Sequence, residues 1–186
     1  MVRAAGVDLS LVTLTRLIPS LRTSIPDPLD TDLWPEATIA TTTDIVVSGL
    51  SLLRLVEVCG TPCVHSGSAV IPGSLGRPSQ THRTSVLVAR VLEARTHESG
   101  RIAIRTDAEI GTLRLIWSET RIINRASTAR AGSVLLARTA TAIDLAVSDD
   151  VVLVDLPLDV RAGDLLAIPS RPEPAHVGTE WLSHLV

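Results

Sequence analysis

The chain has 186 residues, 45% of them apolar and 20% charged, with a formal net charge of −3. That length and balance suit one well-filled domain and exclude a disordered chain. The charge offers no electrostatic basis for binding nucleic acid. All 17 basic residues are Arg, Phe and Tyr are absent and there are three Trp. The core must therefore be built from Val, Leu, Ile and Ala, and the Arg-only, Ala- and Val-rich usage is a habit of high-GC bacterial genomes.

From the N-terminus, residues 7–22 place Leu11, Leu14, Leu17, Ile18 and Leu21 at helical spacing. Pro19 limits that helix to about three turns. A loop with Pro26, Pro28 and Pro35 and four acidic residues runs from Ser24 to Glu36. Residues 1–36 thus read as an arm, either a lid or a helix packed on the outside, and the latter is favoured. Residues 37–186 read as one β domain. No apolar run has the length of a signal peptide core or a membrane span, so a cytoplasmic protein without a membrane partner is expected. Cys59 and Cys63 give no disulfide framework.

Past Ile39 the pattern turns to short strands. Thr41–Val47 leads to a turn at Ser48-Gly49, and Ser51–Cys59 fits either a helix or a strand. Strand-like pieces follow at Cys63–His65 and Ala69–Ile71, with a loop over Pro72–Gln80. Further strands are expected at Thr84–Ala94, Arg101–Thr106, Thr112–Trp117, Arg121–Asn124, Ser133–Ala137, Val151–Val154 and Leu165–Ile168. In Thr112–Trp117, alternation places Leu113, Leu115 and Trp117 on one face. Turns fall at Glu98–Gly100, Gly111, Arg130–Gly132 and Arg161–Gly163. Many evenly spaced strands without a βαβ rhythm imply an all-β fold, a single antiparallel β-barrel.

Two segments resemble a known family. Residues 34–65, WPEATIATTTDIVVSGLSLLRLVEVCGTPCVH, resemble the opening of diaminopimelate decarboxylases and their fold-type III relatives, through Gly49, Leu52, Leu55, Glu57 and Gly60-Thr61-Pro62. Residues 84–169 resemble the C-terminal β-domain of the same enzymes in TSVLVARVLEAR, RTDAEIGTLRLIW and LPLDVRAGDLLAIP. The resemblance implies a β-barrel of the decarboxylase and alanine-racemase C-terminal type. It also implies a missing part: where the family carries an α/β barrel with the pyridoxal-phosphate (PLP) lysine, this chain has only Ser66 to Arg83. A Schiff base needs a side-chain primary amine, and the chain has no Lys. PLP chemistry by this polypeptide alone is excluded, and no cofactor is expected. By resemblance, Arg114 takes the place of the substrate-carboxylate Arg, Trp117 that of the aromatic after it, and Asp144 that of the Asp in a Cys-x-x-x-Asp motif whose Cys position is Ala140. The family's closing Gly-Ala-Tyr is replaced by Ser170-Arg-Pro-Glu-Pro174.

Other candidate sites are weighed by chemistry. Cys59, Cys63 and His65 lack the fourth ligand of a structural zinc site, so buried thiols are favoured and no metal is expected. Gly73-Ser-Leu-Gly76-Arg is not followed by a helix pattern and marks the lost barrel better than a phosphate loop. Asp107 and Glu119 are candidate catalytic carboxylates, although pairing with Arg105, Arg114 or Arg121 is the favoured alternative. Arg114, Trp117, Asp144 and Trp34 are candidate ligand-binding residues, Trp34 and Trp117 as pocket walls. Two functions follow. One is a stand-alone barrel that holds a small, largely apolar metabolite and promotes a cofactor-free cyclisation or isomerisation in specialised biosynthesis. The other is an accessory subunit that docks on a PLP-dependent decarboxylase, with a homodimer as a further way to cover the docking face.

Overall fold

The computed structural model describes residues 14–110, 113–138 and 151–175. Of these, 45% are strand and 16% helix, so the protein is mostly β. The arm enters as a short helix α1 (Leu14–Leu17) and 3-10 turns at Pro19–Thr23 and Thr31–Leu33. A small antiparallel meander follows, β1 (Thr38–Ala40), β2 (Ile45–Val47) and β3 (Leu50–Ser51). It runs into helix α2 (Leu52–Cys59). The helix alternative wins there because the Ser51 hydroxyl caps the N–H of Arg54 at 3.0 Å. Gly60, at φ 75°, lets its N–H close the last turn on the carbonyl of Val56.

The rest is one curled sheet. β4 (Cys63–Val70) joins the two expected pieces into one strand, and a turn over residues 71–77 returns the chain as β5 (Pro78–Thr96). Then come β6 (Ile102–Thr106), a 3-10 turn at Trp117–Glu119, β7 (Arg121–Ile123), β8 (Ala131–Ala137), β9 (Val151–Pro157), β10 (Leu165–Pro169) and β11 (Glu173–Pro174). The strand order is β7-β10-β5-β6-β8-β9, with β4 and β11 also on β5.

The sheet is a half-barrel and not the closed antiparallel barrel expected. β8 pairs with β6 in parallel, Ala103 opposite Leu135 and Ile104 opposite Leu136. Among the described residues the end strands β7 and β9 do not pair. Alternation fixes which face a side chain takes, but neither the partner nor the direction of a strand. The expected strand at Thr112–Trp117 is also corrected. Its described part is a turn, with the N–H of Leu115 on the carbonyl of Leu113, and only a single bridge from Leu115 to Ser170. Leu115 enters the core while Leu113 stays exposed, so their common face is lost.

Two strands are buried on both faces, which explains their unbroken apolar runs. On β5, Leu87, Ala89 and Val91 fill the half-barrel, while Val86 and Val88 face a second core with Trp34, Ile45, Val47 and Leu52. On β10, Leu166 and Ile168 point inward while Leu165 and Ala167 join the outer core. The half-barrel interior is thus packed with side chains, and the meander and α2 cover its back.

Candidate functional site

A concavity of about 610 Å³ lies where the half-barrel fails to close. One wall is β7 with Arg121, Ile122 and Ile123, and the other is formed by Ala131, Asp155 and Pro157 of β8 and β9. The arm roofs it with Arg16, Arg22, Asp27 and Pro28, and Thr41, Thr42 and Asp44 of the meander complete the rim. The volume falls within the range of small-molecule sites, about 300–1,000 Å³.

Glu119 sits at the hinge of this cleft. Its Oε2 accepts the indole N–H of Trp34 at 3.0 Å, the backbone N–H of Asp30 at 3.3 Å and an Nη2 hydrogen of Arg121 at 3.1 Å. The side chain is 11% exposed. Arg121 also reaches the carbonyl of Pro28 at 3.2 Å, so one ion pair at the entry to β7 holds three points of the arm. Across the cleft, Arg22 donates to the carbonyl of Ala129 at 2.8 Å and pairs with Asp27, and Arg16 pairs with Asp155 of β9. The arm therefore straps one side of the opening to the other.

Beneath the same end, Arg125 binds Asp164 in a two-pronged pair at 2.7 and 2.8 Å and reaches Asp159 at 2.9 Å. The hydrogen bond to Asp164 is the main cause that pushes the Arg125 guanidinium above its usual range, against the opposing effect of burial. Burial pushes the Asp159 carboxyl up, but its hydrogen bonds to Arg125 and Ser127 outweigh that and leave it below the usual carboxylate range. On the far side, burial, and then the neighbouring Cys59 and Asp107, push the Cys63 thiol up.

The expected site residues do not converge. Glu119 and Trp34 meet in a hydrogen bond, and Glu119 lines the cleft. Trp34 is fully buried and also borders a smaller hollow of about 310 Å³ with Pro35 and Val70. Asp107 lines neither space; its Oδ1 accepts the N–H of Arg90 at 2.8 Å beside an irregularity in the β5–β6 ladder. Trp117 packs half-buried against the half-barrel core, and Arg114 is exposed. Asp144 and Ala140 lie outside the described residues. The pairing foreseen for Glu119 is with Arg121. No group of three or more His, Cys, Asp or Glu able to hold a metal occurs among the described residues. Sequence reasoning missed Arg22, Arg125 and Asp155. Their partners stand at great sequence distance, 107 residues for Arg22 and Ala129, and no local pattern signals that.

No protein-family model matches this chain, and no curated protein does. Its function must be argued from its geometry. No helix among the described residues is long and apolar enough to cross a membrane.

Proposed function

We propose that this chain is a small-molecule-binding half-barrel whose site is the cleft under the arm. The observation that carries the reading is the roofed space of about 610 Å³ at the open side of the sheet. The half-barrel interior, by contrast, is filled by its own Leu, Ile and Val side chains. Leu29, Ile122, Ala126 and Pro157 supply an apolar floor, and polar groups stand around the rim. Such a division suits a ligand of mixed character held in one pose. Asp107 and Glu119 stand apart, and Glu119 is engaged by three donors. Any cyclisation or isomerisation in this cleft therefore works by restraint, holding a flexible substrate in a reactive conformer.

Native mass spectrometry of the protein purified from its own host tests this. A bound small organic species, lost in an Ala131→Phe variant that fills the cleft, is the expected result. Bare protein from the host, with no small molecule that binds in a manner sensitive to Ala131→Phe, overturns it.

A second reading, an accessory subunit for a PLP-dependent decarboxylase, is supported by a different observation. At the place where the resembled family inserts its α/β barrel, β4 and β5 form a hairpin whose turn exposes Ile71 and leaves Leu75 fully exposed. A stable complex with a purified PLP-dependent decarboxylase that Leu75→Asp abolishes is the result this reading requires.

A further inference from the structure

Resting on the cleft being a ligand site, we propose that it takes an uncharged amphipathic molecule and rejects anions. Four Arg line the cleft, and each is already engaged. Arg125 spends its donors on Asp164, Asp159 and the carbonyl of Asp159. Arg121 donates from both terminal nitrogens, to Glu119 and to the carbonyls of Pro28, Ser118 and Thr120, and its Nε is enclosed. Arg22 is held by Asp27 and Ala129, and Arg16 by Asp155. The carboxylates of the lining outnumber these cations: Asp27, Asp30, Asp44, Asp155 and Glu119 stand against Arg16, Arg22, Arg121 and Arg125.

The surplus is negative, and among the described residues two of those carboxylates are held by uncharged donors alone. Asp30 accepts from the N–H of Asp32. Asp44 accepts from the N–H groups of Ile45 and Leu53 and from the Ser51 hydroxyl. Among the described residues an anion entering this cleft meets no uncommitted cation, and it must shed its water beside carboxylates. A neutral molecule meets the apolar surface of Leu29, Ile122, Ala126 and Pro157 and a rim with the Thr31, Thr42 and Ser118 hydroxyls.

A matched pair of fluorescent probes tests the assignment. N-phenyl-1-naphthylamine is neutral, and 1-anilinonaphthalene-8-sulfonate adds one sulfonate to the same ring system. The neutral probe is expected to bind saturably, and the sulfonate on the order of tenfold more weakly or worse. Ala131→Phe on β8 and Thr42→Phe on the meander each narrow the cleft from a different element, so one misfolded variant does not end the test. Both are expected to weaken the neutral probe. Asp155→Asn releases Arg16 and is expected to raise sulfonate binding relative to the neutral probe. Equal affinity for the two probes, with both weakened by the filling variants, overturns the charge assignment and leaves the ligand site standing. Binding of both probes that ignores both filling variants overturns the ligand site and the assignment together.

Discussion

Glu119 Oε2 gathers three N–H donors from two distant parts of the chain, and that makes it the residue on which the arm depends most. Glu119→Ala leaves the Trp34 indole N–H and part of the Arg121 guanidinium without acceptors in a nearly closed place. The expected cost is about 2–4 kcal/mol, read from the urea midpoint. Glu119→Gln keeps an acceptor and is expected to cost less than half of that. If both variants cost the same, the negative charge and not the hydrogen-bond geometry carries the joint. The Arg125 cluster makes a second prediction, with a sign set by proton linkage. Asp159 has a folded-state pKa below its unfolded value, so its contribution is present above the ordinary carboxylate range, near pH ~4, and is lost as the pH falls through the lower folded value. Arg125→Ala removes that depression and leaves Asp164, whose side chain is 2% exposed, without its cation. The expected loss is about 3 kcal/mol at neutral pH, with acid unfolding starting at a higher pH than in the parent. An unchanged acid limb contradicts the assignment. The Glu119–Arg121 pair was readable at two residues' spacing, but Trp34, 85 residues away, was not.

The elements were readable wherever a local signal decides them. The runs in β5 and β10 announced strands, whereas the segment bracketed by Ser51 and Gly60 fitted helix and strand alike until its two caps were seen. What the pattern does not carry is pairing. The parallel contact of β8 with β6 depends on where the chain from Asp107 to Arg130 returns it, and strand alternation is silent on that. The segment from Leu113 to Trp117 shows the opposite failure, since its alternation is real but its backbone turns to reach Ser170. At Gly67 on β4 the pattern hid a requirement of packing. A Cβ there would stand 2.9 Å from Cβ of Pro35, which bridges β4 at Ala69. Gly67→Ala must push the Pro35 ring and its neighbour Trp34 outward. It is expected to cost about 1–3 kcal/mol and to shift the emission of the buried Trp34 to longer wavelength. A thermal midpoint equal to the parent's shows that the arm sits more loosely on β4 than this contact requires.

Across the whole molecule, an unclosed sheet leaves the chain with an opening between β7 and β9, and the arm is what spans it. Its anchors fall on both sides: Pro28 and Asp30 on the β7 side, Arg22 on the carbonyl of Ala129 just before β8, Arg16 on β9 and Asp32 on the N–H of Gly73 in the hairpin turn. These anchors are not equal. The Arg16–Asp155 pair is exposed, with 61% of the Arg16 side chain in water, and exposed pairs contribute about 0–1 kcal/mol. The Arg22 side chain is 8% exposed and its hydrogen bond to the Ala129 carbonyl is part-buried, so it should carry far more. Trypsin distinguishes the two, because it cuts after Arg16 only when that segment leaves the surface. Arg22→Ala is expected to speed this cut by on the order of tenfold, since losing about 1.4 kcal/mol of local closure raises the open population by that factor. Asp155→Ala is expected to speed it by less than about threefold. The reverse order would place the closing strength at the exposed end of the arm. The cleft would then be a site that ionic strength opens, with probe release quickening as salt is added.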